Sequence, residues 1–351
     1  MPKTIRVGII GAGGIARHAH VPGYQAQQDV ELAAICDVVP GKAASLATEH
    51  DIPHAYDGCE EMLEEEELDA VSVCTPNFAH KEATLMALEA GLHVLCEKPI
   101  AMNVQEGREM VEAARKRDLV LQIGLHRRFE PASRTLKRFV EAGELGDIYY
   151  GEATYMRRRG IPSWGVFTQK KYQGGGALID IGVHTLDLTM WLMGNPKPVA
   201  VSGMTYDIFG KRTDVVNTWG PWDPETFDVD DMSVALVRFE GDVTLMLRAC
   251  WAAHIGGNES ETRILGTEGG ASMEPLRIFR DVHGAMVDIA PSGLPEVEPH
   301  TEEIAHFIDC VRGEAECLVV PEQVLDVQAV IDAIYKSAEE GREVLLSEFD
   351  Y

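Results

Sequence analysis

The first regular element of the sequence runs directly into a glycine turn, IRVGIIGAGGIA, residues 5–16. The apolar run Ile5–Ile10 predicts a buried strand, and the residues from Gly11 to Ala16 match G-x-G-x-x-A. The first glycine permits a tight turn, the second lets backbone approach a pyrophosphate, and the helix that follows offers free N–H groups to phosphates. A glycine turn without a ligand is the alternative, but the strand–turn–helix context favours a dinucleotide site. The candidate phosphate-binding residues are Gly11, Gly13, Gly14, Ile15 and Ala16.

Short apolar runs alternate with amphipathic stretches through the first third of the chain. Each run is about 4–8 residues long and nearly continuous in apolar character, which is typical of strands buried on both faces. Amphipathic segments such as Ala79–Ala90 and Val104–Arg117 lie between them. This alternation predicts βαβ units and an α/β domain built on a doubly wound parallel sheet. The strand candidates are Ile5–Ile10, Val30–Cys36, Ala70–Cys74, His93–Cys96 and Leu119–Ile123.

A carboxylate, Asp37, directly follows the second strand candidate. At that position it can accept both hydrogen bonds of an adenosine ribose diol, and it would repel a 2′-phosphate. The residues that follow supply no arginine to hold such a phosphate, and Lys42 is the nearest cation. The sequence therefore favours NAD over NADP as the cofactor. The alternative role for Asp37 is an ordinary cap of the next helix.

Two further strand candidates end in polar turns at what should be the same edge of the sheet. Cys74-Thr75-Pro76-Asn77 follows one, and Glu97-Lys98-Pro99 follows the other. Ligands bind at the carboxyl edge of such sheets, where Lys98 could donate to a substrate oxygen and stabilise developing alkoxide charge. For Asn77 the alternative is helix capping alone, and for His80 it is a polar surface position. The cofactor candidates at this edge are Thr75, Pro76, Asn77, His80, Glu97 and Lys98.

The pattern changes after about residue 125, where long alternating strands replace the βαβ units. Two of them are joined through Gly241-Asp242, a two-residue hairpin signal. We therefore divide the chain into a dinucleotide-binding domain, residues 1–125, and an α+β domain with a mainly antiparallel sheet, residues 126–351. A long excursion, Asp207–Asp230, is rich in Asp, Pro, Gly and Trp, and its role stays open. The predicted elements are the strands Asp147–Met156, Asp231–Glu240, Val243–Trp251, Thr262–Leu265 and Leu276–Phe279 and the helices Glu302–Arg312 and Glu322–Glu339.

Three glycines, Gly174–Gly176, precede a predicted helix that carries Asp180 and His184. Residues four apart share one face of an α-helix, so these two side chains can meet one ligand. Their neighbours are strongly apolar, and a partly desolvated histidine beside a carboxylate is a natural general acid or base. The alternatives are a satisfied His–Asp pair in the core and a metal site. Two ligands do not fill a zinc sphere and no other cluster has suitable spacing, so we expect no metal.

The composition restricts the partners of the chain. Its 351 residues include 57 acidic and 31 basic side chains, for a net charge of −26. Such acidity argues against binding to nucleic acid or to an anionic membrane, and no apolar run approaches the roughly 18 residues of a membrane-spanning helix. Seven cysteines without CxxC spacing suit reduced thiols. We expect a cytoplasmic protein with a small-molecule substrate.

Three motifs, in this order and spacing, resemble those of the Gfo/Idh/MocA oxidoreductases. They are GAGGIA from Gly11, CEKP from Cys96 and GGGALIDIGVHTLD from Gly174. The resemblance extends over the whole chain, including the GTEGG turn at Gly266–Gly270 and the segment His300–Phe307. It implies an N-terminal Rossmann domain and a C-terminal α+β domain with a large open, mainly antiparallel sheet. In the family that sheet often forms a dimer or tetramer interface, so a homodimer or homotetramer is expected.

The resemblance also implies roles for individual residues. The Thr-Pro-Asn turn would contact the dinucleotide, and a cis peptide bond would precede Pro99. Arg157 and Trp164 lie just ahead of the glycines, where relatives use an arginine or tryptophan to touch cofactor or substrate; solvated charge is the alternative for Arg157, Arg158 and Arg159. The implied catalytic residues are Lys98, Asp180 and His184, and the candidate substrate-binding residues are these three with Arg157 and Trp164.

One functional hypothesis leads, and two alternatives remain beside it. An NAD-dependent dehydrogenase would oxidise a secondary hydroxyl of a sugar, a cyclitol such as inositol, or a glycoside. His184 would act as general base, Lys98 would polarise the oxygen, and Asp180 would orient His184 or bind a neighbouring hydroxyl. A redox-neutral enzyme would instead oxidise a sugar transiently, eliminate a glycosidic substituent and return the hydride. A non-catalytic dinucleotide-binding regulator would lack this set of three residues, and their presence argues against it.

Overall fold

The computed structural model describes residues 3–349 and 351, which fold into two compact units. The first unit comprises the described residues through Phe129 together with Val297–Leu325. The second comprises Glu130–Glu296 together with the chain from Asp326 onward. This division differs from the expected one at residues 1–125 and 126–351, because the chain returns to the first unit after the second sheet is complete.

The sheet of the first unit consists of six parallel strands. They are β1 Ile5–Ile10, β2 Val30–Cys36, β3 His54–Tyr56, β4 Ala70–Val73, β5 His93–Glu97 and β6 Leu121–Gly124. Their spatial order, β3-β2-β1-β4-β5-β6, is that of the doubly wound dinucleotide-binding fold. The strands β1 and β2 have the predicted bounds. The edge strand β3 was not predicted, because its half-exposed residues form no apolar run.

Ten α-helices connect the strands and cover the sheets among the described residues. They are α1 Val21–Gln25, α2 Lys42–His50, α3 Cys59–Glu65, α4 His80–Glu89, α5 Val104–Arg117, α6 Pro131–Glu141, α7 Lys170–Gln173, α8 Val183–Leu192, α9 Pro299–Val311 and α10 Pro321–Glu340. Two π-helical turns, Ala16–His20 and Leu178–Gly182, run directly into α1 and α8. Short 3₁₀ turns span Asn77–Ala79, His126–Phe129, Glu240–Asp242 and Leu346–Glu348.

Helix α9 explains why the chain returns to the first unit. Its residues Ile304, Phe307 and Ile308 are buried in the same apolar cluster as Val7 and Ile9 of β1. Burial of large apolar side chains is the main stabilising term in such a core, at about 1.5–3 kcal/mol for each. The segment is therefore part of the first domain's core, although the sequence places it after the second sheet.

The sheet of the second unit has nine strands in the order β14-β13-β12-β11-β7-β10-β9-β8-β15. They are β7 Ile148–Met156, β8 Pro198–Tyr206, β9 Met232–Phe239, β10 Thr244–Cys250, β11 Glu259–Gly266, β12 Gly269–Met273, β13 Leu276–Val282, β14 Ala285–Ile289 and β15 Val344–Leu345. β7 and β10 pair in parallel and the other neighbours are antiparallel, which confirms a mainly antiparallel sheet. The predicted hairpin is present, but its loop has three residues, Glu240–Asp242, and not the two predicted, because Arg238 faces Thr244. Within this loop Gly241 and Asp242 have positive φ, 74° and 60°.

The two faces of this sheet differ. On one face β7 packs so closely against α8 that a Cβ added at Gly151 would lie 2.4 Å from the sulfur of Met193. The other face carries Glu152, whose carboxylate forms ion pairs with Arg248 and Arg263, and apolar side chains, of which Met204 and Met246 are 47% and 38% exposed. Within residues 3–349, no helix combines the length and apolarity needed to cross a membrane.

Candidate active-site residues in the two units

The glycine turn after β1 leaves room for a ligand beside its backbone, because its glycines carry no side chains. Gly11 has φ of +101°, and a Cβ added there would lie 2.8 Å from the backbone of Cys74. At Gly14, in contrast, an added Cβ would meet nothing within 4 Å. Ala16 is fully buried, as the close packing of helix on strand requires. The turn therefore has an open side bordered by the start of a helix, the geometry that receives a pyrophosphate.

Asp37 lies beside this turn at the end of β2, and it is only 8% exposed. Its carboxylate accepts hydrogen bonds from the N–H groups of Ala12 at 2.8 Å and Val39 at 2.9 Å and from the Lys42 ammonium at 2.7 Å. Burial opposes ionisation, but Lys42 and the two N–H donors together hold the pKa of Asp37 below its usual range. Asp37 is therefore an anion fixed where the fold places the adenosine ribose.

The turn after β4 is tied to the turn after β5 by His80. The ring is buried, with Nδ1 2.8 Å from the carbonyl oxygen of Pro99 and Nε2 3.0 Å from that of Thr75. Burial lowers the pKa of His80, although both carbonyl oxygens favour the protonated ring. Both ring nitrogens of His80 thus contact backbone carbonyl oxygens, and the side chain connects the two loops. The Thr75 hydroxyl oxygen is buried and has no hydrogen-bond partner within residues 3–349, so it is available to a ligand, and Asn77 is buried beside it.

Behind Lys98 lies a buried polar chain that the sequence analysis missed. Tyr24 and the His20 ring both contact the Ser72 hydroxyl, at 2.7 and 2.9 Å, and the other nitrogen of His20 lies 2.9 Å from the Glu97 carboxylate. The second oxygen of Glu97 accepts the backbone N–H of Lys98 at 3.1 Å. Desolvation opposes ionisation of Glu97, yet His20 first and the Lys98 charge next lower its pKa to about 2. Glu97 thus contacts other buried protein groups and fixes the start of the Lys98-Pro99 turn. The Lys98-Pro99 peptide bond is cis, as the resemblance implied.

Two further histidines lie near Lys98 in the first unit. The rings of His126, after β6, and His300, in α9, stack with centroids 4.0 Å apart. Burial, with the His300 and Lys98 charges also contributing, lowers the pKa of His126 to about 3, so this ring is neutral at physiological pH. The sequence analysis missed this pair, because about half of the chain separates its two members.

In the second unit, the three glycines pack against a buried carboxylate. Asp230 accepts the N–H groups of Gly176 at 2.7 Å and Leu178 at 2.9 Å, and it also accepts the hydroxyls of Tyr335 at 2.8 Å and Ser233 at 3.1 Å. Burial raises the pKa of Asp230 despite these four donors. A Cβ at Gly176 would lie 1.9 Å from the carbonyl oxygen of Asp230. Gly176 is therefore required for close approach to Asp230, and Gly175 is required beside Tyr335, whose hydroxyl oxygen would lie 1.9 Å from an added Cβ.

The helix that carries Asp180 and His184 differs from the predicted one. The sequence predicted a regular α-helix, but Asp180 lies in the π-helical turn Leu178–Gly182 and His184 lies in α8. Such turns are frequent at functional sites. Both side chains are partly exposed, and the indole N–H of Trp251 donates to Asp180 at 3.0 Å. The sequence missed Trp251, which reaches Asp180 from the end of β10.

The three consecutive arginines have separate environments. Arg158 and Arg159 donate to carbonyl oxygens of the 253–256 loop, which gives them a structural role. The Arg157 guanidinium instead lies over two aromatic rings, 5.2 Å from the centroid of Tyr155 and 4.6 Å from that of Trp219. Trp164 is 53% exposed and lies beside Trp219. Of the candidate substrate-binding residues in this segment, Arg157 and Trp164 thus belong to one aromatic cluster.

The donor set fits a dinucleotide. An open glycine turn and a fixed carboxylate at the end of β2 are features that a dinucleotide site uses, and a buried Thr75 hydroxyl without a partner within residues 3–349 adds a polar group for a ligand. In that same described part of the chain, no group of three or more His, Cys, Asp or Glu side chains could hold a metal ion.

Comparison with known protein families and sequences gives matches along most of the chain. A family described as "Oxidoreductase family, NAD-binding Rossmann fold" matches residues 5–125, and one described as "GFO/IDH/MocA C-terminal domain" matches residues 133–272. A D-glucoside 3-dehydrogenase of Escherichia coli is 37% identical over 345 residues, covering 98% of both chains. A human trans-1,2-dihydrobenzene-1,2-diol dehydrogenase is 31% identical over 68% of this chain and 64% of its own.

Comparison with solved structures supports the same architecture. Levoglucosan dehydrogenase in complex with NADH and L-sorbose aligns with a TM-score of 0.86, covering 98% of this chain and 99% of its own. The sequence identity is 24%, so this likeness shows a shared fold.

Proposed function

Because this chain belongs to the Gfo/Idh/MocA oxidoreductases and its first unit is an NAD-binding Rossmann domain, we propose that it oxidises a ring hydroxyl of a D-glucoside. The observation that carries the substrate class is the 37% identity, over 98% of both chains, to a D-glucoside 3-dehydrogenase. The 31% identical relative is named for a diol on a six-membered ring, which also fits a cyclic secondary alcohol. Free sugars and cyclitols are the neighbouring classes that the experiment must separate.

The first unit would hold the cofactor. The turn from Gly11 to Ala16 would bind the pyrophosphate through backbone N–H groups, Asp37 would accept the ribose hydroxyls, and Thr75, Pro76 and Asn77 would line the nicotinamide half of the cleft. When bound, NAD accepts a hydride from the carbinol carbon. The fixed negative charge of Asp37 disfavours the additional phosphate of NADP.

The remaining chemistry falls to three side chains. His184 takes the proton of the substrate hydroxyl as general base, and the Lys98 ammonium donates to the same oxygen and stabilises its developing negative charge. Asp180, held by the Trp251 indole, binds a neighbouring hydroxyl or orients His184. The products are a ketone and a proton, together with the reduced cofactor. Lys98 and His184 come from different units, and their joint action is part of the proposal.

Steady-state kinetics on a substrate panel test this function. The panel holds methyl β-D-glucoside, glucose, myo-inositol and mannitol, each with NAD, and formation of NADH is followed by absorbance. We expect the glucoside to have the highest kcat/KM. His184→Asn and Lys98→Met should each lower kcat by about 10²–10⁴-fold, and His184→Asn should leave NADH binding within about twofold.

Several outcomes would contradict the proposal. Undiminished turnover by His184→Asn would remove that residue from the acid–base role. A higher kcat/KM for inositol than for any glucoside would replace the substrate class. Release of the aglycone without net NADH would identify redox-neutral elimination, which product analysis by mass spectrometry detects.

We also propose that the open face of the second sheet joins two copies of the chain. Apolar Met204 and Met246 lie on it beside the Glu152–Arg248 ion pair, so one face presents apolar and charged groups that a second copy can match. Light scattering of the purified protein should give a dimer or tetramer. Met204→Asp with Met246→Asp should shift the mass to a monomer, and a wild-type monomer at micromolar concentration would contradict the proposal.

The compartment that suits these features is the cytoplasm. All seven cysteines are free thiols in the structure, which matches a reducing environment. Fractionation of cells that express the native gene should place the protein with cytoplasmic markers, and recovery with periplasmic or membrane fractions would contradict this.

A further inference from the structure

The excursion Asp207–Asp230 is fastened to the segment ahead of the three glycines. The Asn217 side chain accepts the backbone N–H of Ile161 at 3.1 Å and donates to its carbonyl oxygen at 2.8 Å, as a neighbouring strand would. Thr218 donates its hydroxyl to the carbonyl oxygen of Arg159 at 2.6 Å. The excursion is therefore held in one place by specific bonds to that segment.

This attachment assembles a cluster of aromatic rings. The ring centroids of Trp164 and Trp219 lie 5.2 Å apart at an interplanar angle of 55°. The centroids of Trp164 and Phe167 lie 6.2 Å apart in an edge-to-face arrangement. The Arg157 guanidinium lies over the rings of Tyr155 and Trp219. We call these five residues the aromatic platform. Trp164 is 53% and Trp219 39% exposed, so two large indole surfaces stay in contact with water.

The aromatic platform is continuous with the candidate catalytic helix. Tyr155 and Phe167 pack against a buried cluster that contains Ile181 and Trp251. Trp251 is the residue whose indole donates to Asp180 at 3.0 Å. This buried cluster therefore connects the aromatic platform to the carboxylate that we assign to the substrate.

From this arrangement we infer that the aromatic platform binds the cyclic aglycone of the glycoside, a second pyranose or an aryl ring. Exposed indole faces cost free energy in water and bind the C–H face of a sugar or another aromatic ring. Arg157, fixed by two rings, supplies N–H donors for a hydroxyl or ring oxygen of the same group. The inference rests on the proposed function, since it adds a subsite to a glycoside-oxidising centre.

Paired substrates separate this subsite from the catalytic centre. Methyl β-D-glucoside lacks a cyclic aglycone, phenyl β-D-glucoside carries an aryl ring, and cellobiose carries a second pyranose. Trp219→Ala should raise KM for the phenyl glucoside or cellobiose by about tenfold and leave kcat and the KM for the methyl glucoside within about twofold. Trp219→Phe should recover most of the lost affinity, because it keeps a ring.

A matched control is Tyr149→Ala, which removes another partly exposed ring of the second unit, in β7, and should change the KM of neither glucoside. Equal losses for methyl and phenyl glucosides would overturn the inference, since they would mean a structural role. No loss for either would also overturn it. A change in oligomeric mass on Trp164→Ala would assign these indoles to a contact between copies of the chain and would contradict the inference.

Binding measurements keep the subsite separate from the proposed reaction. Calorimetric titration of phenyl β-D-glucoside into the complex with NADH involves no turnover. The phenyl glucoside should bind at least about fivefold more tightly than the methyl glucoside, and Trp219→Ala should remove this difference. That result would support the aromatic platform even if no substrate of the panel were oxidised. Equal affinities for the two glucosides would overturn it while leaving glucoside oxidation intact.

Discussion

The two candidate regions share a local design and use it differently. In each, a glycine-rich turn leads into a π-helical turn and then an α-helix: Gly11–Gly14 precedes Ala16–His20, and Gly174–Gly176 precedes Leu178–Gly182. At the first turn, Gly11 is needed for its positive φ, and the space around Gly14 is open. At the second, Gly176 is needed because Asp230 occupies the space beside it.

The difference lies in what satisfies the N–H groups at each helix start. The second turn directs the N–H groups of Gly176 and Leu178 at the buried carboxylate of Asp230, within the protein. The first turn gives the Ala12 N–H to Asp37 and leaves its open side for a ligand. We propose that the first glycine turn receives an external anion, whereas the second turn holds the side chain of Asp230 and so supports the helix that carries Asp180 and His184.

Adding one methyl group to each turn tests this contrast most strongly. Gly176→Ala should destabilise the second unit by about 3 kcal/mol, or roughly 5–10 °C in Tm, because its Cβ would overlap the carbonyl oxygen of Asp230. An added Cβ at Gly13 would meet only the carbonyl oxygen of Cys74, at 3.9 Å, so the Tm of Gly13→Ala should stay within about 2 °C while NADH binding weakens about tenfold. Calorimetry and NADH titration measure both effects. Equal Tm losses in the two variants would contradict the contrast.

Changing the internal anion should have the next largest effect. In Asp230→Asn an amide replaces one carboxylate oxygen and faces donors, which should cost about 1–3 kcal/mol. We expect kcat to fall at least about tenfold while the Kd of NADH is unchanged, because only the helix segment that carries Asp180 and His184 shifts. Tyr335→Phe, which removes one of four donors, should give a smaller loss in the same direction. Weaker NADH binding in Asp230→Asn would show that Asp230 does not act only through the helix segment that carries Asp180 and His184.

The smallest expected effect concerns the buried Glu97–His20 pair of the first unit. The pKa of Glu97 is lowered from 4.5 to about 2, so its contribution to stability is complete above about pH 4.5 and is lost as the pH falls towards 2. Glu97→Gln should lower the free energy of unfolding at pH 7 and flatten its decline between pH 4.5 and 2. Urea unfolding at several pH values measures both. Glu109→Gln, which breaks a surface pair with Lys81, is the control, and an equal change in its slope would contradict this assignment.

The same contrast explains what the sequence could predict. The family, the enzyme class and NAD as cofactor are confirmed, because GAGGIA, Asp37 and the Lys98 turn are local patterns next to apolar strands. Asp230 and Trp251 were missed because they contact the helix segment that carries Asp180 from 52 and 71 residues further along the chain. Tyr335 was missed because it donates to Asp230 from 105 residues away. The edge strand β14 was missed because most of its residues are exposed and form no apolar run. Nothing local marked α9 as part of the first unit's core.

The central claim is that an ammonium from the first unit and an imidazole from the second act on one hydroxyl. A crystal structure of the complex with NADH and phenyl β-D-glucoside tests it most directly. The account predicts the Lys98 nitrogen and a ring nitrogen of His184 both about 2.6–3.2 Å from the same sugar oxygen. A structure in which either nitrogen contacts a different oxygen, or in which His184 is shielded from the sugar, would contradict it.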